Sequence, residues 1–209
     1  MRRLTLIRHG LTEGNVRRWY YGALDLPLCE AGADALREAA AAGLYPPIGQ
    51  AKILTSGLME AGYDVKMSEI HGMSQRGGSV STQVRYGDKV LSPIVGKGSA
   101  DVIVAFETME ALRWLPYLKK GGSIVVNDFV INPAPVNQGQ AEYPEGIIED
   151  LAAKVKVVSL KAGDMAAELG NPKAMNVVLL GALVKAIGTL DDVDWMKHIE
   201  KNVKPKFVE

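Results

Sequence analysis

The run Ala100-Asp101-Val102-Ile103-Val104-Ala105-Phe106 most limits how this chain can fold. It is apolar apart from one aspartate and β-branched at its centre. A strand of that kind is buried on both faces, as the strands of a parallel sheet are. Parallel neighbours need long crossovers, so helices must lie between them. The flanking sequence reads that way. Residues 108–118 suit a helix, Gly121-Gly122 its end, and Ser123-Ile124-Val125-Val126-Asn127-Asp128 the next strand. A Pro- and Asn-rich loop over 131–143 leads to a helix opened by Pro144, and residues 155–160 form a further strand. Helices are expected over 162–169, from Pro172 to about 187, and over 191–201. Trp114, Trp195 and the methionines fall on helical faces and are expected in the core, with His198 on a helix surface. Upstream, residues 64–70 and 79–86 alternate as strands, and Leu4-Thr5-Leu6-Ile7 is a short buried strand.

This pattern predicts an α/β fold with a Rossmann-like, mostly parallel sheet and helices on both faces. Between the two alternating runs lies Ser68-Glu69-Ile70-His71-Gly72-Met73-Ser74-Gln75-Arg76-Gly77-Gly78-Ser79-Val80. Such a loop builds core poorly, but it brings backbone and polar groups close to a ligand or a partner. Arg76 and Gln75 suit a carboxylate or a phosphate, and His71 can donate a hydrogen bond. The competing reading makes Arg76 an internal salt bridge, His71 a satisfied loop histidine and Gly77 and Gly78 turn residues.

With 209 residues and 47% apolar composition, the chain can bury a sizeable core. Lys+Arg and Asp+Glu are both 24. That balance gives no electrostatic reason to expect a nucleic-acid or membrane partner. Cys29 is the single cysteine, which fits a reducing, cytoplasmic setting. It cannot hold an iron–sulfur cluster, which takes about four thiolates, and no metal site is expected. The apolar run after Arg2-Arg3 is too short for a signal peptide.

Leu4–Ile7 runs into Arg8-His9-Gly10-Leu11-Thr12-Glu13-Gly14-Asn15. A strand end that delivers an imidazole beside a guanidinium suits phosphoryl capture. With Tyr21-Gly22, Asp25-Leu26-Pro27-Leu28, an alanine-rich helix over 33–42 and Lys52-Ile53-Leu54-Thr55-Ser56, this resembles the N-terminus of the histidine phosphatases and phosphoglycerate mutases. The resemblance implies a phosphorylated His9 supported by Arg8 and Asn15, with Lys52–Ser56 as a strand end. Glu60 stands where that family has a second phosphate-binding arginine, and neither His71 nor His198 sits in the family's second motif. His9 is therefore expected to be a remnant rather than a working nucleophile.

From about residue 57 the sequence changes character. Glu60-Ala61-Gly62-Tyr63-Asp64-Val65, the 68–78 loop, Ser92-Pro93-Ile94-Val95-Gly96, Ala100-Asp101 with Glu107, Asn171-Pro172-Lys173-Ala174-Met175-Asn176 and Val203-Lys204-Pro205-Lys206-Phe207 carry a second resemblance. They resemble the gamma-type domain of the 2-oxoacid:ferredoxin oxidoreductases, in particular the beta subunits that act on indolepyruvate. The implied division is a truncated histidine-phosphatase-like segment over 1–57 and a pyruvate/ketoisovalerate oxidoreductase gamma-type domain over 58–209.

The resemblance implies a chain that binds no cofactor alone. An alpha subunit would carry thiamine diphosphate, Mg and the iron–sulfur clusters. CoA would be a co-substrate and ferredoxin the electron acceptor. Ser68, His71, Gln75, Arg76, Gly77 and Gly78 would face that partner's active site. The alternatives are phosphoryl transfer through His9, or an inactive hybrid. The gamma-type family opens with a strand and a Gly-rich loop that this chain lacks. Leu4–Ile7 or Ile53–Thr55 is expected to fill the vacant central strand, with residues 8–30 packed poorly.

Overall fold

The computed structural model describes residues 2–8, 46–71 and 80–203. The strands are β1 (Arg2–Arg8), β2 (Asp64–His71), β3 (Val80–Gly87), β4 (Ala100–Ala105), β5 (Leu118–Asn127) and β6 (Lys156–Leu160). They form a six-stranded sheet in the order β2-β3-β1-β4-β5-β6. β1, β4, β5 and β6 are mutually parallel, and β3 alone runs against them, since β1 and β2 are both antiparallel to it. The mostly parallel sheet is thus as expected.

The vacant central slot is filled by β1. Leu4, Leu6 and Ile7 pair with Val84, Thr82 and Ser81 of β3 on one side and with Val102, Val104 and Ala105 of β4 on the other. Ile53–Thr55 does not fill it, and the strand expected at Lys52–Ser56 is a helix, α1 (Pro46–Glu60). A short Ile-Leu pair does not tell the two apart. The helical spacing does: Ala51, Leu54 and Leu58 are all fully buried, at i, i+3 and i+7. Gly62, at φ 88°, ends the helix. Tyr63 N–H donates to Leu58 C=O at 3.1 Å and Gly62 N–H to Met59 C=O at 3.1 Å, a left-handed helix stop that turns the chain into β2.

The other helices are α2 (Thr108–Trp114), α3 (Ala134–Asn137), α4 (Ile147–Ala152), α5 (Ala162–Glu168), α6 (Met175–Ile187) and α7 (Trp195–Asn202). Alternate residues of the strands feed two cores. Val84, Tyr86, Val102, Val104 and Val125 meet Ala51, Leu54 and Leu58 of α1 and Leu179, Leu180 and Leu183 of α6. Ile103, Ala105, Ile124 and Val126 meet Ala111 of α2 and Ile147 and Leu151 of α4 on the opposite face. Helices therefore cover both faces, as the continuous apolar strands demand.

Several boundaries differ from expectation. The helix expected to reach residue 118 stops at Trp114, and Pro116 sits in a 3₁₀ turn, Leu115–Tyr117. Leu118 already belongs to β5, so Gly121-Gly122 lies inside a strand rather than before it. The register there jumps from Ala100↔Leu118 to Val102↔Ser123, a bulge. Gly121 has φ 77°, and a Cβ on Gly122 would lie 2.9 Å from Asp101 O, so the pair lets β5 fold back against β4. α4 starts at Ile147 rather than Pro144, and α7 starts at Trp195 with Asp194 as its cap rather than at Asp191. The expected poor packing of residues 8–30 falls on residues outside those described, apart from Arg8.

Candidate functional site at the carboxyl edge

In open α/β sheets, ligands and partners meet the loops at the carboxyl ends of the strands, where the strand order reverses. Here the order reverses at β1, with α1 leading to β2 and β3 on one side and β4 following on the other. The registers His71↔Val80, Arg8↔Val80, Ile7↔Ala105 and Ala105↔Val126 draw one line across that edge. The backbone therefore brings Arg8 and His71, the last residues of β1 and β2, to the same edge. Sequence periodicity does not reveal that adjacency.

The predicted site residues divide as follows. Arg8 is the last residue of β1 and His71 the last of β2. Ser68 is half-buried and sits opposite Gln83. His9, Asn15, Gln75, Arg76, Gly77 and Gly78 lie outside the described residues.

Two buried polar groups organise the edge between β4 and β5, and neither was predicted as a site residue. Asn127, 1% exposed, closes β5. Its Oδ1 accepts from Ala162 N–H at 2.9 Å and its Nδ2 donates to Phe106 O at 3.2 Å, which ties β4, β5 and α5 together. Glu107, 5% exposed, caps α2, with Oε2 accepting from Glu110 N–H at 3.0 Å. Its Oε1 accepts from Tyr143 O–H at 2.5 Å. Thr108 Oγ1 lies 2.6 Å from the same phenol oxygen. The phenol proton is committed to Glu107, so the threonine hydroxyl donates, giving a chain from Thr108 to Tyr143 to Glu107. Burial first, and then the carboxylate acceptor, push the Tyr143 phenol up to about 12. Glutamate is not among the usual capping residues, Ser, Thr, Asp and Asn, so the sequence did not announce this cap; its tyrosine partner lies too far along the chain for any local pattern to reveal.

Two expectations about chemistry are corrected. Glu60 does not face a phosphoryl site. It ends α1 just before β2 begins at the amino edge, and β2 then runs about 24 Å, at ~3.4 Å per residue, to the carboxyl edge. Both its carboxylate oxygens accept from Lys197 Nζ, at 2.8 and 2.9 Å. That hydrogen bond holds the Glu60 carboxyl below the ordinary carboxylate range and pushes the Lys197 ammonium up. His198 is not a surface residue. It is 2% exposed, its Nδ1 lies 2.8 Å from Ser56 Oγ, and its Nε2 lies 3.6 Å from Glu60 Oε2. The methionines are not uniformly core either, since Met59, Met67, Met165 and Met196 are exposed.

Among the described residues, no three His, Cys, Asp or Glu side chains come together to hold a metal. No helix among them is long and apolar enough to cross a membrane.

A mostly parallel α/β sheet, doubly wound and covered by helices on both faces, defines a Rossmann-type fold. The chain belongs to the pyruvate ferredoxin/flavodoxin oxidoreductase family, whose sequence model matches residues 48–209. A second model, for branch 1 of the histidine phosphatase superfamily, matches residues 4–59, so the two overlap within α1. Indolepyruvate oxidoreductase subunit IorB of Pyrococcus horikoshii is 41% identical over 166 residues, covering 76% of this chain and 81% of that protein. The IorB subunit of Thermococcus kodakarensis is 40% identical over 166 residues, covering 76% and 81%. Among solved structures, the gamma subunit of a keto/oxoacid ferredoxin oxidoreductase from Geobacter sulfurreducens shares the fold, with TM-score 0.56 and 17% identity over 100% of this chain and 90% of that one.

Proposed function

We propose that this chain is the beta subunit of an indolepyruvate, or aryl 2-oxoacid, ferredoxin oxidoreductase. The reading rests on one observation above the others: about 40% identity to IorB subunits across most of both chains. In this reading an alpha subunit carries thiamine diphosphate, Mg and the iron–sulfur clusters, CoA is the co-substrate and ferredoxin takes the electrons. The thiamine group supplies the decarboxylation chemistry. With one cysteine in 209 residues, this chain does not fit a cluster ligand set, and no redox step is assigned to it. Its part is to present the carboxyl-edge loop holding Ser68, His71, Gln75, Arg76, Gly77 and Gly78 to the partner's active site. A cytoplasmic location follows from the same reading and from the lone thiol.

Co-expression with an alpha subunit tests this directly. A stable complex with indolepyruvate- and CoA-dependent viologen reduction is expected, and Arg76→Ala should reduce that rate by tenfold or more, the worth of a charge-assisted contact. Failure of the two chains to associate would remove the assignment.

The match over residues 4–59 favours a second reading for the N-terminal part, in which residues 1–57 are a histidine-phosphatase-like segment joined to a gamma-type domain over 58–209. In this reading the segment's main task is structural, since β1 supplies the central strand. p-Nitrophenyl phosphate hydrolysis that disappears in His9→Ala would instead make His9 a nucleophile.

A further inference from the structure

Between β5 and α4 the chain leaves the sheet over residues 128–146, carrying Pro133, Gly139, Asn132, Asn137, Gln138 and Gln140. Among the side chains described over 132–142, most are exposed and none belongs to either core. Within it, α3 (Ala134–Asn137) packs extensively on no other element. What holds this stretch is concentrated at its two ends, and both ends are bonded to the same two residues. At the entry, Thr108 N–H donates to Phe129 O at 3.1 Å, and Ile131 N–H reaches Glu107 Oε1 at 3.5 Å. At the exit, Tyr143 donates to that same Oε1 at 2.5 Å and accepts from Thr108. The Tyr143 ring also packs against the α2–α4 core.

We propose that residues 129–143 form a strap over the carboxyl edge that opens as one unit, latched by Glu107 and Tyr143. Glu107 is a positioning residue here. Its carboxylate holds the α2 cap with one oxygen and both strap ends with the other. Loss of Oε1 as an acceptor weakens the entry contact of Ile131 and the exit contact of Tyr143 together, and leaves only Thr108 bonded to Phe129 O and Tyr143. Among its described side chains only the Tyr143 ring packs on a core, so these end contacts are the main opposition to local opening. Phe129 is 54% and Val130 47% exposed at the entry, beside Asn127. Opening would therefore change what the carboxyl edge presents to anything bound there. The inference needs neither the indolepyruvate assignment nor a partner chain.

Hydrogen exchange followed by mass spectrometry on the full chain tests it. In Glu107→Gln, peptides spanning 129–143 should exchange on the order of tenfold faster, as loss of a charge-assisted bond predicts. Both ends should accelerate, while peptides of β4 and β5 keep wild-type rates. Tyr143→Phe keeps the ring and removes only the hydroxyl, so it stands as the test if Glu107→Gln does not fold. It too should accelerate the entry end around 129–131, although the substitution lies at the exit. Unchanged exchange across 129–143, acceleration of one end only, or equal acceleration throughout β4 and β5 would each overturn the latch.

Discussion

At the residue scale, His198 shows how far a local reading can miss. Its neighbours Lys197, Glu200 and Lys201 are charged, so the helix reads as solvated there. Yet the imidazole is inserted between α7 and α1, bonded to Ser56 142 positions away. His198→Ala should cost about 2 kcal/mol or more, from lost packing and an orphaned Ser56, whereas a surface histidine would cost within about 0.5 kcal/mol. Urea unfolding distinguishes the two, and Ser56→Ala combined with His198→Ala should be less than additive. Tyr143 makes a pH prediction. The unfolded phenol titrates near 10 and the folded one near 12. Below pH 10 both states hold the proton and the contribution is fully present. Between pH 10 and 12 the unfolded state loses its proton first, so stability falls as pH rises. The urea midpoint of wild type should drop through that window relative to Tyr143→Phe, which lacks the titrating group.

At the scale of elements, the contact between α1 and α7 sets an opposition of magnitudes. Gly57 lies in the interior of α1, where Gly→Ala ordinarily stabilises by about 0.8–1 kcal/mol. Here a Cβ would stand 2.5 and 2.7 Å from two ring atoms of Trp195. The indole cannot simply swing away, because its Nε1–H donates to Leu190 O at 3.1 Å. Overpacking costs about 1–3 kcal/mol, so the clash should win and Gly57→Ala should lower the melting temperature. Replacing Trp195 with Leu in the same chain should restore the ordinary sign. The glycine is what lets the two helices approach closely enough to bury His198.

At the scale of the whole molecule, the sheet depends on a strand that the second family resemblance does not contain. β1 is bonded on both sides, by β3 and β4. Leu6→Pro should remove a ladder hydrogen bond from a central strand, a position that excludes proline, in a domain whose whole stability is only about 5–15 kcal/mol. Loss of cooperative unfolding by circular dichroism is expected; a melt like wild type would put β1 outside the sheet.

Much of this architecture was legible in the linear chain. Continuous apolar runs at 100–106 and 123–126 announced strands in a sheet covered on both faces, and the alternation at 64–70 and 79–86 announced two further strands, though not that they pair with each other. The family could be read from the 68–78 loop and its companions. These are local signals, carried by periodicity and by neighbouring residues, and they do not depend on where the rest of the chain goes. Helix against strand at Lys52–Ser56 was not legible, because a short apolar pair satisfies either period until its partners are known. The latch of Glu107 with Tyr143, the bond of Ser56 with His198 and the pairing of Glu60 with Lys197 were hidden for a related reason. Each joins residues that only the closed sheet and its packed helices bring within hydrogen-bond reach. The same holds for β1: its own sequence made it a strand, but the vacancy between β3 and β4, whose edges had no other partner, decided where it sits.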